Sequence, residues 1–215
     1  MKKGTIKGLV YKDMVLFFKG VDRKLIFLAA GVIALLLYSV GVYAGILASA
    51  MLAMTIGIQN VMGAEADEKA GWKQYQMAMP VSSFQAVAGK YLSVLCTLAV
   101  SLAGSILCNF VASVVYRSFI PGAWLLSAIC AVLLPLAWTG CCLPFVYWFG
   151  FRAAQTCGIL LVIPMFTLVK YFEDGPGFQS LVASFGTYLA LCAVGTVVLF
   201  AVSLGISVAG YRHRR

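Results

Sequence analysis

The chain has 215 residues, of which 62% are hydrophobic and only 11% are charged, and its mean hydropathy is +0.97. Soluble domains carry about 25% charged residues, so the composition excludes an ordinary soluble protein and predicts an integral membrane protein. A membrane-spanning helix needs about 20 apolar residues, which leaves room for about six crossings and no separate soluble domain. The basic residues that give the net charge of +9 lie in predicted loops and at the chain ends. We therefore attribute the charge to membrane topology and expect no nucleic-acid partner.

The first 23 residues predict an amphipathic helix that lies in the inner interface of the lipid bilayer. Apolar residues recur there at helical spacing, and five lysines lie at other positions. A basic topology signal without a defined helix is the alternative. The apolar positions that define the predicted helix are Ile6, Leu9, Val10, Met14 and Phe17.

The run from Leu25 to Met62 contains no Asp, Glu, Lys or Arg and is nearly twice as long as one crossing. It therefore predicts two spans, at about 25–40 and 44–62, joined by a turn at Gly41 and Gly45. The Gly-x-x-x-Gly spacing of these two residues also suits a helix-packing face, which is the alternative.

Four further apolar segments predict spans at about 91–116, 124–149, 153–171 and 187–210. Pro135 and Pro144 predict a kink and an irregular second half for the span at 124–149, because each removes a backbone donor. The sequence FEDGPG at 172–177 predicts a turn, and 179–185 predicts a short outer or re-entrant piece. The predicted fold is an all-α transmembrane domain over 1–215 with six spans.

The positions of the basic residues predict which side of the membrane each span end faces. If the amino terminus lies inside, 14 of the 16 Lys and Arg residues fall on the inner side, and only Arg117 and Lys170 fall outside. This asymmetry predicts an even number of spans with both termini in the cytoplasm.

Catalysis and ion relay have no candidate residues inside the predicted spans. No Asp, Glu, Lys, Arg or His lies near the middle of a span, which disfavours an intramembrane enzyme and a proton-coupled carrier. Gly89-Lys90 lacks the upstream glycine of a phosphate-binding loop, so ATP would have to bind to another chain. We expect no catalytic residue, metal site or cofactor, and packing roles for Ser101, Ser105 and Asn109.

The densest cluster of charges lies in EADEKAGWKQYQMAMP, residues 65–80, inside a predicted cytoplasmic connection over 63–90. A short amphipathic helix that projects from the membrane at this point would offer a rigid surface to a partner protein. A solvated connector between two spans is the alternative.

Four segments together resemble the small permease subunits of bacterial type-two ABC transporters, the exporter class. They are LVYKDMVLFFK, the acid-rich segment with Trp72, MPVS and GKYL. The resemblance implies two permease subunits, identical or similar, on two ATP-hydrolysing subunits in the plasma membrane of a bacterium. It also implies an amino-terminal elbow helix and a coupling helix that docks in a groove of the ATPase. The residues to which it assigns coupling are Glu65, Asp67, Glu68, Lys69 and Trp72.

The function that the resemblance implies is export of an amphipathic peptide, a drug or a lipid-like substrate by alternating access, with ATP hydrolysed on a partner chain. Two functions from other classes stay open at the level of the sequence. One is a non-transporting membrane scaffold or sensor, and the other is an ion-coupled secondary carrier.

Overall fold

The computed structural model of the chain describes residues 4–21, 23–78, 81–160 and 185–213. All regular structure in these ranges is helical, which confirms the predicted all-α class. The helices are α1 (Gly4–Lys19), α2 (Arg23–Val40), α3 (Ala44–Lys69), α4 (Trp72–Ala78), α5 (Ser83–Tyr116), α6 (Pro121–Phe149), α7 (151–160) and α8 (Phe185–His213).

Four helical stretches in the described ranges are long and apolar enough to cross a membrane. They are Phe27–Lys69, Ser83–Tyr116, Pro121–Phe149 and Gly186–His213. The chain is therefore a multi-pass membrane protein, whereas the count of six spans and the side of the termini stay predictions. The end of the predicted span at 153–171, the turn at 172–177 and most of the piece at 179–185 lie outside the described residues.

The first of these stretches, 43 residues long, contains most of α2 and all of α3. A 3-10 turn, Gly41–Tyr43, separates the two helices, and Gly41 has a φ of +70°, which favours glycine. Gly45 lies in α3, where an added Cβ would stand 2.6 Å from Oδ1 of Asn109 on α5. The two roles that the sequence left open are thus divided, because Gly41 serves the turn and Gly45 serves helix packing.

Small polar side chains hold α3, α5 and α6 together in the interior of the bundle. The amide of Asn109 donates to the hydroxyls of Ser49 at 3.2 Å and Ser127 at 2.6 Å, one on each neighbouring helix. Buried polar groups in apolar surroundings need such partners. Ser101, Ser105 and Asn109 are all buried in this contact region, which agrees with the packing roles expected for them.

The helix α6 is continuous from Pro121 to Phe149, so the predicted irregular second half is wrong. Pro135 has no N–H, which leaves the carbonyl of Ala131 without its donor from within the helix. The hydroxyl of Ser101 donates to this carbonyl at 2.7 Å. A neighbouring helix thus supplies the missing hydrogen bond.

The connection that the sequence predicts over 63–90 is mostly helical where it is described. The helix α3 continues past Met62 to Lys69, and α5 begins at Ser83. Ser82 and Gln85 form a capping box at the start of α5, in which each side chain accepts from the backbone N–H of the other residue. Apolar runs locate the membrane-spanning parts of these helices, whereas helical hydrogen bonding continues into polar residues.

The helix α8 packs on α5 and α6. The hydroxyl of Tyr91 lies 2.6 Å from Oγ of Ser203 and 2.8 Å from Oγ of Ser207, so one tyrosine anchors two turns of α8. Another face of α8 exposes apolar side chains of the kind that lipid tails would cover. They are Leu191, Val194, Val197, Val198 and Val202.

Candidate coupling site at the α3–α4 end

The charged segment forms the end of α3, a tight turn and the short helix α4. Lys69 is the last residue of α3, and Gly71 makes the turn with a φ of +63°. The N–H of Gln74 donates to the carbonyl of Gly71 at 3.0 Å, which starts α4 directly after the turn. The segment is therefore an ordered extension of a bundle helix.

The side chain of Lys12 on α1 contacts Asp67, Asp13 and Trp72 at this end of the molecule. Its Nζ lies 2.7 Å from Oδ1 of Asp67 and 3.2 Å from Oδ1 of Asp13. The same Nζ lies 4.4 Å from the centre of the Trp72 ring. An ion pair and a cation–π contact of this kind are each worth about 1 kcal/mol when partly exposed, so Lys12 joins α1 to both α3 and α4.

Asp13 continues the network from α1 into the bundle. It is buried, its Oδ2 accepts a hydrogen bond of 3.1 Å from the hydroxyl of Ser93, and its Oδ1 lies 3.4 Å from Nζ of Lys90. A buried carboxylate is stable only when opposite charge and hydrogen bonds compensate for lost hydration. Two cations face Asp13, which fixes α1 against α5.

Glu68 connects the end of α3 to the corner between α6 and α7. Its Oε1 accepts a hydrogen bond of 2.9 Å from the backbone N–H of Phe151, the first residue of α7. Helix α7 begins there, because the N–H of Ala154 donates to the carbonyl of Gly150. The first N–H groups of a helix have no partner within the helix and carry partial positive charge, so the carboxylate is well placed.

The remaining predicted coupling residues form a separate pair at the surface. Nζ of Lys69 lies 2.6 Å from Oε1 of Glu65, one helical turn earlier, and the lysine side chain is 76% exposed. Gln74 and Tyr75 on α4 are also exposed, Tyr75 to 64%. Lys69, Gln74 and Tyr75 are therefore exposed at this end of the bundle, whereas Asp67 and Trp72 are half-buried.

The five residues that the resemblance assigns to coupling therefore do not share one surface. Asp67, Glu68 and Trp72 contact other helices, whereas Glu65 and Lys69 contact each other. The sequence did not assign Lys12, Asp13 or Lys90 to this site, and no spacing in a single sequence pairs them with residues of α3 or α4. Nor did it assign Tyr75, although its place in the same charged segment was a usable signal.

The apolar face of α1 packs on the bundle at least in part. Leu9 and Phe17 are buried, whereas Ile6, Val10 and Met14 are half-buried. An added Cβ at Gly89 of α5 would stand 3.2 Å from Cβ of Leu9, so the two helices approach closely there. The residues predicted to enter the membrane interface thus also fix α1 to α5.

The chain matches the model of a known family. The family described as ABC-2 family transporter protein matches residues 8–212. Among curated proteins and among solved structures, nothing matches the chain with significance. The family match spans nearly the whole length of the chain. The chain therefore belongs to the ABC-2 family of transporter proteins and is a permease subunit of an ABC transporter.

Proposed function

We propose that this permease exports an amphipathic peptide, a drug or a lipid-like substrate, and that a separate ATPase subunit docks on the α3–α4 end to drive it. The observation that carries the proposal is the direct linkage of α4 to other helices. Lys12 joins α1 to α3 and α4, and Glu68 joins α3 to α7. A displacement of α4 would therefore be transmitted to several helices at once.

The continuity of α3 supports the same mechanism. The helix that carries Asp67 and Glu68 at one end carries Gly45 and Ser49 at the other, where it packs on α5. A helix moves as a stiff rod over this length, so a push at Lys69 tilts the packed part as well. Closure of two ATPase subunits would tilt the helices of two permease subunits and open a pathway between them.

The surfaces of the long helices support the proposed substrate class. Helix α5 exposes mainly apolar and aromatic side chains, among them Leu107 and Phe110. A pathway walled by such groups suits a molecule with a large apolar part.

The docking surface can be tested with the ATPase that co-purifies with the permease from mild detergent. We expect the double substitution of Gln74→Ala and Tyr75→Ala to remove most of the ATPase, because both side chains are exposed on α4. The matched control is Tyr38→Ala, which removes an exposed tyrosine (93%) beside the turn at the opposite end of α3. Charge reversal of Asp67 is a poorer test, since it would also repel Lys12.

Two results would count against the proposal. Full retention of the ATPase by the double variant would exclude α4 as the docking element. Transport by reconstituted vesicles that continues without ATP, but stops when the proton gradient is collapsed, would instead identify a secondary carrier.

A further inference from the structure

A surface groove of about 450 Å³ lies between the α3–α4 turn and the corner between α6 and α7. One wall contains two acids and a glutamine, and the other contains two phenylalanines and an arginine. The residues of the two walls are Asp67, Glu68, Gly71 and Gln74, and Phe149, Gly150, Phe151 and Arg152. We infer that this groove is a second part of the docking surface and receives a basic side chain of the ATPase subunit; the inference rests on the proposed function.

The charge of Glu68 supports a basic occupant. Its Oε1 accepts from the N–H of Phe151, but no Lys or Arg whose side chain the structure describes, a set that leaves out Lys73, forms an ion pair with it. Glu68 is an exposed residue, so a cation from outside can reach its carboxylate. Asp67 differs, because Lys12 already neutralises it at 2.7 Å. The acidic wall thus has one carboxylate that lacks a cationic partner among these residues.

The exposure of Phe149 supports a protein occupant. Its side chain is 66% exposed at the end of α6, and it lines the same groove as Glu68, Gln74 and Arg152. Charged and amide groups keep a groove hydrated, so lipid tails are poor partners for an aromatic ring there. A protein segment with apolar and basic side chains would cover the ring and pair with Glu68 together.

The groove is also held open in advance of binding. The hydrogen bond from Phe151 to Glu68 fixes one wall to the other. An added Cβ at Gly71 would meet no atom within 4 Å, so the floor beside the turn is free. A preformed site costs little conformational entropy on binding, which suits a contact that has to transmit movement from the ATPase to α6 and α7.

Site-specific photo-cross-linking tests the inference in the assembled complex. A benzophenone amino acid would replace Tyr75, Phe149 or, as the control, Leu125, which is 66% exposed near the other end of α6. We expect adducts with the ATPase from positions 75 and 149 and none from 125.

The other outcomes separate the two proposals. An adduct from position 75 alone would overturn the groove and leave the proposed function intact. An adduct from 149 alone would keep the groove and exclude the exposed face of α4 at Tyr75 from the interface. If neither position reacts while the ATPase still co-purifies, both the groove and the α4 docking surface are wrong.

The charge of the occupant needs a second variant. Glu68→Gln removes the charge and keeps an oxygen that can accept from Phe151, so we expect the thermal stability of the isolated permease to fall only slightly, through the lost attraction between the charge and the start of α7. We expect the affinity for the ATPase to fall about tenfold, and the wild-type affinity to fall more steeply with salt than that of the variant. Equal affinity and equal salt dependence would overturn the basic occupant.

Discussion

The ammonium group of Lys12 contacts Asp67 on α3, the ring of Trp72 on α4 and Asp13 on its own helix. The side chains of Lys12 and Asp67 are 23% and 24% exposed, so water screens their attraction only in part. Removal of the lysine would leave two carboxylates close together, with Lys90 near only one of them. The importance of Lys12 therefore lies in the charge balance of the cluster as much as in any single contact.

Lys12→Ala is expected to lower the free energy of unfolding by about 2 kcal/mol, since it removes an ion pair and a cation–π contact. Lys12→Arg keeps the charge and the stacking surface and should retain most of the stability. Lys7→Ala is the matched control, because Lys7 is an exposed lysine on the same helix. Thermal unfolding in mild detergent measures the effect, and equal midpoints for Lys12→Ala and Lys7→Ala would contradict the role of the cluster.

Within the helices, stability depends on how α6 accommodates its prolines. Pro135 leaves the carbonyl of Ala131 free, and Ser101 of α5 donates to it. The same turn of α6 lies close to α3, because an added Cβ at Gly57 would stand 3.2 Å from Cα of Pro135. The hydroxyl of Ser101 thus replaces the hydrogen bond that Pro135 removes. Gly57, which has no side chain, lets α3 approach α6 closely.

Ser101→Ala is expected to destabilise the protein by about 1 kcal/mol, because it leaves the carbonyl of Ala131 buried without a donor. In a Pro135→Ala background the same substitution should cost close to nothing, since the N–H of residue 135 would then donate to that carbonyl. The measurement is a double-mutant cycle by thermal unfolding. Additive effects of the two substitutions would show that Ser101 does not compensate for Pro135.

The sequence predicted those features that depend on local composition, and it missed those that depend on distant contacts. Apolar runs were enough for the helical class, and a glycine between them was enough for the turn at Gly41. The contact of Lys12 with Asp67 joins residues 55 positions apart, and nothing in one sequence pairs them. The prediction of an irregular second half in α6 was wrong for the same reason, because the donor that compensates for Pro135 lies on another helix.

At the scale of the whole molecule, the elements beside the two termini lie at the same end of the bundle. Leu9 of α1 and Tyr211 of α8 belong to one buried apolar cluster, together with Val87 of α5. The rings of Trp148 and His213 stack at 5.6 Å, which places the ends of α6 and α8 together. The α3–α4 turn is at this end as well, since Lys12 contacts Asp67 there.

The directions of the helices agree with the predicted topology. An added Cβ at Gly140 of α6 would lie 3.6 Å from Cα of Phe200, and one at Gly210 of α8 would lie 2.5 Å from the Trp148 ring. Position numbers thus rise together along α6 and α8, so the two helices are parallel. The fourth and sixth spans of the predicted topology also cross in the same direction.

Reporter fusions can test the side of the membrane that this end faces. Because the elements next to both termini lie together, we expect reporters at Met1 and Arg215 to report the same side of the membrane. The excess of Lys and Arg predicts that this side is the cytoplasm. A fluorescent protein that matures only in the cytoplasm should fluoresce at both positions, whereas alkaline phosphatase should be active only after Phe119, beside Arg117. Reporters on opposite sides at the two termini would exclude an even number of spans. Phosphatase activity at both termini would instead place α4 outside, where an ATPase cannot reach it.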